Sequence, residues 1–342
     1  MIYFIVAVLT VSLMAYVIFA GADFGAGIYE LLHVVSARRD RKHLIEGAIG
    51  PIWEANHIWL ILAVVIFFMG FPQAFYVFSV MFHIPMTAVL VGVTLRGTAF
   101  AFRHYDPIED HWQKKYTLLF GLSSVWTAFW QGLIVGALFK LLPVDPERFV
   151  DYFVSPWLSP FTVAVGVFVV SIYLLLAHTF LLSEEATRVG KHSHLFDEIW
   201  RSLAFAVAAG CVVFLTGLNE DIALVDQLLT SPFAVGALVL ATILLGPLVL
   251  AYNRRESTLA RALVILQVSL IFGVVLVERF PTILRFSDGS AVNLLETAAP
   301  QATLDQLGYA LIGGSCLIFP FLLFLFRVFK ADVSAAKDAR DP

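Results

Sequence analysis

The chain has 342 residues, 60% of them apolar and only 14% charged, with 31 phenylalanines and a mean hydropathy of +0.86. That composition excludes a soluble domain, and the apolar runs are too long for outer-membrane strands. The net charge of −4 includes no basic run that would engage nucleic acid. Cys211 and Cys316, each inside an apolar run, make neither a disulfide framework nor a metal motif and read as small core residues.

Taken in chain order, nine stretches reach the length a membrane span needs: 3–32, 52–71, 74–101, 116–141, 160–182, 199–217, 230–252, 259–279 and 306–329. The fold class is therefore all-α, a polytopic bundle of about nine transmembrane helices. Residues 1–330 form one transmembrane domain and 331–342 a short polar cytoplasmic tail, expected to be disordered. Ala20-Gly-Ala22 resembles a signal-peptidase site, but no Lys or Arg precedes the apolar run and the run continues past it, so it reads as a retained first helix. Pro72 divides the second and third spans into a tight hairpin.

Basic residues are distributed very unevenly. Seventeen fall in the connections after odd-numbered spans or around the C-terminus, among them Arg38, Arg39, Arg103, Lys114, Arg188, Arg254 and Lys330. Only four, Lys140, Arg148, Arg279 and Arg285, fall on the other side, together with Asp145, Glu147, Glu220 and Asp288. The positive-inside rule then puts the N-terminus outside and the C-terminus in the cytoplasm.

Asp23, Glu54 and Arg96 stand out as charges set in the apolar runs. At about 1.5 Å per residue, Asp23 lies roughly 30 Å down the first helix, Arg96 about 33 Å down the third, and Glu54 at the start of the second, at the same cytoplasmic edge. Two acids and one base at a common level are expected to meet, because an unpaired charge there is costly. His57 shares a helix face with Glu54, and Asn56 adds an amide nearby on a different face. Gly21 and Gly25 have the spacing that lets another helix approach closely. Acid, imidazole and amide together are how a proton wire is built, and an ion-pair lock that only fixes packing is the alternative.

Other polar groups carry less. His83 and His178, in the third and fifth spans, could ligate haem iron but lack a paired motif and read as hydrogen-bonded core residues. Gln131 beside Trp126 and Trp130 could line a quinone slot or simply pack between helices. His192 and His194 read as part of a solvated loop, and no residue pattern marks a metal site.

Gly21-Ala-Asp-Phe-Gly-Ala-Gly27 resembles a Gly-Phe-Asp-Leu-Gly-Val-Gly segment in subunit II of cytochrome bd-type quinol oxidases. Gly50-Pro-Ile-Trp-Glu-Ala-Asn-His-Ile-Trp-Leu60 resembles that family's Gly-Pro-Val-Trp-Asp-Gly-Asn-Glu-Val-Trp-Leu, and Phe71-Pro72 and Leu95–Arg103 are similar too. The resemblance implies two four-helix bundles plus one peripheral helix in a bacterial or archaeal plasma membrane. It implies a partner, subunit I, that carries the b- and d-type haems and the quinol-oxidising loop. No haem is expected in this chain, and no catalysis by it alone; a bound quinone, lipids and small accessory membrane subunits are further candidates. The acids of the two motifs, which would help lead protons from the cytoplasm to the oxygen-reducing site, fall here on Asp23 and Glu54. Glu54 stands for the usual Asp, Ala22 for a bulky aromatic, and His57 where Glu or Gln is common, which marks a divergent branch. A proton-coupled secondary transporter using Asp23, Glu54 and Arg96, or a structural scaffold, is the competing reading; transporter sites tend to lie at the midplane, on broken helices.

Overall fold

The computed structural model describes residues 1–33, 56–105, 111–144, 148–189, 195–220, 222 and 230–338. Its framework is helical. In chain order the helices are α1 (Ile2–Leu32), α2 (Asn56–Gly70), α3 (Pro72–Met81), α4 (His83–Tyr105), α5 (His111–Ala137), α6 (Phe149–Phe153), α7 (Pro160–Val189) and α8 (Leu195–Asn219). They continue as α9 (Pro232–Ile243), α10 (Leu245–Asn253), α11 (Ser257–Arg279) and α12 (Gln301–Asp338). Among the described residues seven helical stretches are long and apolar enough to cross a membrane, or eight if the bent pair α2–α3 counts as one span. The chain is thus a multi-pass membrane protein. The stretch expected as a ninth span, 306–329, falls inside α12, and α12 runs past Lys330 into what was expected to be a disordered tail.

Proline chemistry sets the breaks. Pro72 opens α3, and α2 and α3 meet at Phe71 with a bend of 116°, where a tight hairpin between two full spans was expected. The third span is not continuous from 74 to 101, as the apolar run suggested. It breaks at Phe82, because Pro85 has no N–H to give the Met81 carbonyl, and α4 resumes at His83. Pro247 likewise cannot donate to Ile243, and the 230–252 span divides at Leu244 into α9 and α10. α7 starts at a reciprocal cap: the Ser159 N–H donates to Thr162 Oγ1 at 2.9 Å and the Thr162 N–H to Ser159 Oγ at 3.3 Å.

The apolar runs gave no hint of a small three-stranded sheet. β1 (Leu141–Leu142) pairs in parallel with β2 (Thr282–Phe286), and β2 pairs antiparallel with β3 (Ala291–Asn293), with Leu284 opposite Val292. The β2–β3 turn needs Gly289, whose φ is +87°, and Asp288 accepts from the Ser290 N–H at 2.8 Å. This sheet ties the end of α5 to the α11–α12 connection at the end of the bundle where α1 begins.

The interior falls into two main clusters. One gathers Ile5, Leu9, Phe71, Met81 and Leu133 with Leu284 and Val292 of the sheet. The other gathers Tyr16, Phe24, Tyr29, Leu176, Ile199 and Val264 at the opposite end. Helices α1 and α7 cross closely in this second cluster. A Cβ at Gly21 would meet Leu176 and Tyr173, and one at Gly25 would strike the Tyr173 carbonyl, so the spacing of small residues does what the sequence suggested. Many large apolar side chains, Val11, Ile58, Leu90 and Tyr309 among them, point outward, as suits a lipid-facing surface. Cys211 and Cys316 are also exposed, so they are outward-facing and not core residues.

Candidate functional site

Asp23 is fully buried on α1, and Arg96 reaches it from α4. Arg96 Nη2 donates to Asp23 Oδ1 at 2.6 Å and Nη1 donates to Oδ2 at 2.7 Å, a bidentate fork. A second bond from Nη2 goes to the Asp23 carbonyl at 2.9 Å, and Nε donates to Ser124 Oγ of α5, also at 2.9 Å. The guanidinium lies 4.3 Å from the Phe120 ring centroid and 4.9 Å from that of Phe24. Asn56, at the start of α2, donates its amide to Asp23 Oδ2 at 2.6 Å. The predicted meeting of Asp23 and Arg96 is therefore observed. Desolvation explains it, since neither charge could be left alone at that level.

Asn56 was expected on a different face from the acid–imidazole pair, yet it is the side chain that joins α2 to the ion pair. His57 is half-buried beside it, and among the described residues the hydrogen bonds to the Asp23 carboxylate come from Arg96 and Asn56. Glu54, the third expected member, lies outside the described residues, as do His192 and His194.

Two further charged sites were not singled out from the sequence. One helical heptad beyond the first pair, Arg103 Nη1 donates to both oxygens of Glu30 at 2.8 Å, with the Arg103 side chain 1% exposed. Arg103, expected in a loop, belongs to α4, and its guanidinium lies 4.8 Å from the same Phe120 ring that meets Arg96. The matching spacings, Asp23 to Glu30 and Arg96 to Arg103, were a readable signal: α1 and α4 carry charges of opposite sign at the same interval. The second site is centred on Glu198 of α8. Its Oε2 accepts from the Tyr29 hydroxyl at 3.0 Å and lies 3.5 Å from His33 Nε2 and 3.8 Å from His178 Nε2.

The remaining candidates are dispersed. His178 is buried, its Nδ1 hydrogen-bonded to Ser202 Oγ, whereas His83 opens α4, exposed, edge-on to Phe153 at 4.9 Å. The two histidines thus belong to different clusters. Gln131 links two phenols: its Nε2 donates to the Tyr16 hydroxyl at 2.7 Å, and the Tyr173 hydroxyl donates to its Oε1 at 2.9 Å. Trp126, 46% exposed, spends its N–H on the Ala88 carbonyl and packs 5.4 Å from Trp130. Among the described residues no group of three His, Cys, Asp or Glu side chains is arranged to hold a metal ion.

The fold and site define a polytopic helical membrane protein whose first helix carries a buried carboxylate paired across to an arginine. The family model for cytochrome bd terminal oxidase subunit II matches residues 1–329, and the chain belongs to that family. Among similar curated proteins, the cytochrome bd ubiquinol oxidase subunit 2 of Bacillus subtilis (strain 168) is 28% identical over 167 residues, 48% of this chain and 47% of that protein. The cytochrome bd-I ubiquinol oxidase subunit 2 of Escherichia coli (strain K12) is 23% identical over 176 residues, 50% of this chain and 45% of that protein. The chain thus spans about half the length of these relatives. A chain in the structure of bd oxidase from Geobacillus thermodenitrificans has the same fold, with a TM-score of 0.75 at 20% identity, over 96% of this chain and 98% of that one.

Proposed function

We propose that the chain is the non-haem subunit of a membrane terminal quinol oxidase, a complex that oxidises membrane quinol and reduces O2 to water. In it the chain would stabilise a haem-bearing subunit I and carry part of a proton-uptake path from the cytoplasm. Family membership, and relatives whose names describe ubiquinol oxidase subunits, support the first part. The uneven distribution of basic residues supports an outside N-terminus and a cytoplasmic C-terminus. The observation that carries the proton path is the fully buried Asp23 carboxylate, held where α1, α2 and α4 converge.

The geometry divides the work within that path. Both Asp23 oxygens already accept charge-assisted or amide hydrogen bonds, so protonating Asp23 would break the Arg96 fork. Asp23 and Arg96 are then the fixed charges of the path. The exchanging groups would be Glu54 and His57, close in sequence to Asn56, whose amide is bonded to the pair. A quinone against Trp126 and Trp130 would meet an aromatic wall, but it would have to take the Gln131 amide from Tyr16 and Tyr173.

The test is Glu54→Gln in the assembled complex. Turnover of oxygen-coupled quinol oxidation should fall about tenfold or more, with haem content unchanged, and Glu54→Asp should retain most activity. Wild-type turnover of Glu54→Gln across the pH range would refute the path. The saturation of Asp23 supports a second reading, in which the ion pair only locks three helices together. On that reading Asp23→Asn lowers assembly and Glu54→Gln changes nothing.

A further inference from the structure

We infer that Glu198, with His33, His178 and Tyr29, forms a second proton-handling site, separate from Asp23, which collects protons at the cytoplasmic surface and presents them to the interior. The inference rests on the proposed orientation and on the reading that protons enter through this chain. Three helices supply the cluster: Tyr29 lies on α1 with His33 one turn on, at the C-cap of that helix, His178 lies on α7 and Glu198 on α8. The Tyr29 ring sits 4.3 Å from the His33 ring and 4.7 Å from the His178 ring, so the phenol holds both imidazoles around one carboxylate.

Two features separate this cluster from a lock. First, the contacts from Glu198 Oε2 to the two imidazoles, at 3.5 and 3.8 Å, are longer than hydrogen bonds, so a small rotation or one water makes or breaks either. Second, exposure is graded. The side chains of His33 and Glu198 are 25% and 24% exposed, and that of His178 only 5%. A proton can reach His33 from solvent, pass to the Glu198 carboxylate and then to His178 Nε2. The imidazole can release a different proton from Nδ1 toward Ser202, so the ring is unchanged after one transfer once it turns over. Histidine is the residue type that changes charge between pH 5 and 8, and carboxylate–imidazole pairs are the usual means of moving protons there.

Of the charged and titratable groups on the elements around the cluster, Arg201 of α8 and Arg254 and Glu256 before α11 are exposed, and others are engaged elsewhere. Glu30 on α1 holds Arg103 of α4. Arg255, in the turn before α11, stacks on Phe196, and Arg261 of α11 stacks on Phe180. The Tyr252 hydroxyl of α10 meets Thr179 Oγ1 at 3.2 Å.

The experiment uses the oxidase complex in detergent, with Glu198→Gln and, in case that variant assembles poorly, His33→Gln at the more exposed end. Protons are scarce at alkaline pH, so a collecting site matters most there. Each variant should lose roughly threefold more turnover at about pH 8.5 than at about pH 6.5, and Glu198→Asp should restore the wild-type ratio. Infrared difference spectra across a pH step should lose one carboxyl signal in Glu198→Gln. A pH profile parallel to wild type, with the carboxyl signal retained, overturns the inference; so does a uniform loss that follows the amount of assembled complex. If Glu54→Gln is slow while the Glu198 and His33 variants match wild type, this inference alone falls. If all three match wild type, the proton-path reading falls with it.

Discussion

The Asp23 and Glu198 sites draw on the same helix, α1, within three turns of each other, and they are built on opposite principles. Around Asp23 every carboxylate oxygen is taken, the charges are fully buried, and distances run from 2.6 to 2.9 Å. Around Glu198 one phenolic hydrogen bond is firm, two imidazoles stand off at 3.5 and 3.8 Å, and part of the cluster is exposed. A saturated, desolvated pair resists any change in protonation, because each proton moved breaks a charge-assisted bond in a low-dielectric setting. A partly exposed cluster whose carboxylate–imidazole contacts are longer than hydrogen bonds is where the proposed exchange would cost less. On the proposed reading, burial alone does not mark the exchanging group; the tightness of its contacts does.

The largest effect that tests this contrast is expected at the saturated pair. Arg96→Gln leaves the Asp23 charge buried without its partner and should cost about 3–5 kcal/mol of stability in the detergent-solubilised protein, followed by thermal unfolding. Asp23→Asn/Arg96→Gln removes both charges and should recover a substantial part of that loss. A double variant as unstable as the sum of the single ones would mean that the pair is not one interacting unit. Glu198→Gln should change stability far less.

A smaller effect is expected at the α1–α7 crossing, which the Glu198 site spans. Gly25→Val drives a side chain into the Tyr173 carbonyl and should cost about 1–3 kcal/mol, with weaker assembly. Gly97→Ala, where an added Cβ meets nothing within 4 Å, should be neutral or stabilising by up to about 1 kcal/mol. Equal effects at the two glycines would remove the close crossing as an explanation.

The smallest effect concerns a third carboxylate, at the end of the molecule that carries the sheet. Burial pushes the Glu220 carboxyl up. The Phe161 N–H at 2.8 Å, Ser159 and Lys140 at 3.3 Å together outweigh that and hold it below the usual glutamate value. A carboxyl lowered in the folded protein adds stability that is present above its unfolded pKa and is lost as pH falls through the folded value. Glu220→Gln should therefore flatten the acid limb of stability against pH by about 0.2–1 kcal/mol and leave neutral turnover unchanged. An unchanged acid limb would show that the contact contributes nothing.

Some of this was legible from residue order. A carboxylate in the apolar run of α1 and an arginine in that of α4, counted from the same surface at a fixed rise per residue, were expected at the same level, and desolvation made their pairing the expected outcome. The Gly21–Gly25 spacing announced a close crossing, though not that α7 would make it. Pro85 marks a candidate break in the third span by sequence alone, and the backbone shows where α4 restarts, at His83.

The sequence by itself determined that this is a multi-pass helical membrane protein with charges that must be paired within it, because transfer into a bilayer is governed by composition over short windows of chain. Only the tertiary structure decided that Asn56 and Ser124 complete the Asp23–Arg96 pair, that Arg103 holds Glu30, and that Tyr29, His33 and His178 gather at Glu198. Tyr29 and Glu198 are 169 residues apart in the chain. A charge near the end of a span looks like any solvated flanking residue until helix packing brings its partner across, and packing is a property of facing surfaces that no single stretch of sequence encodes.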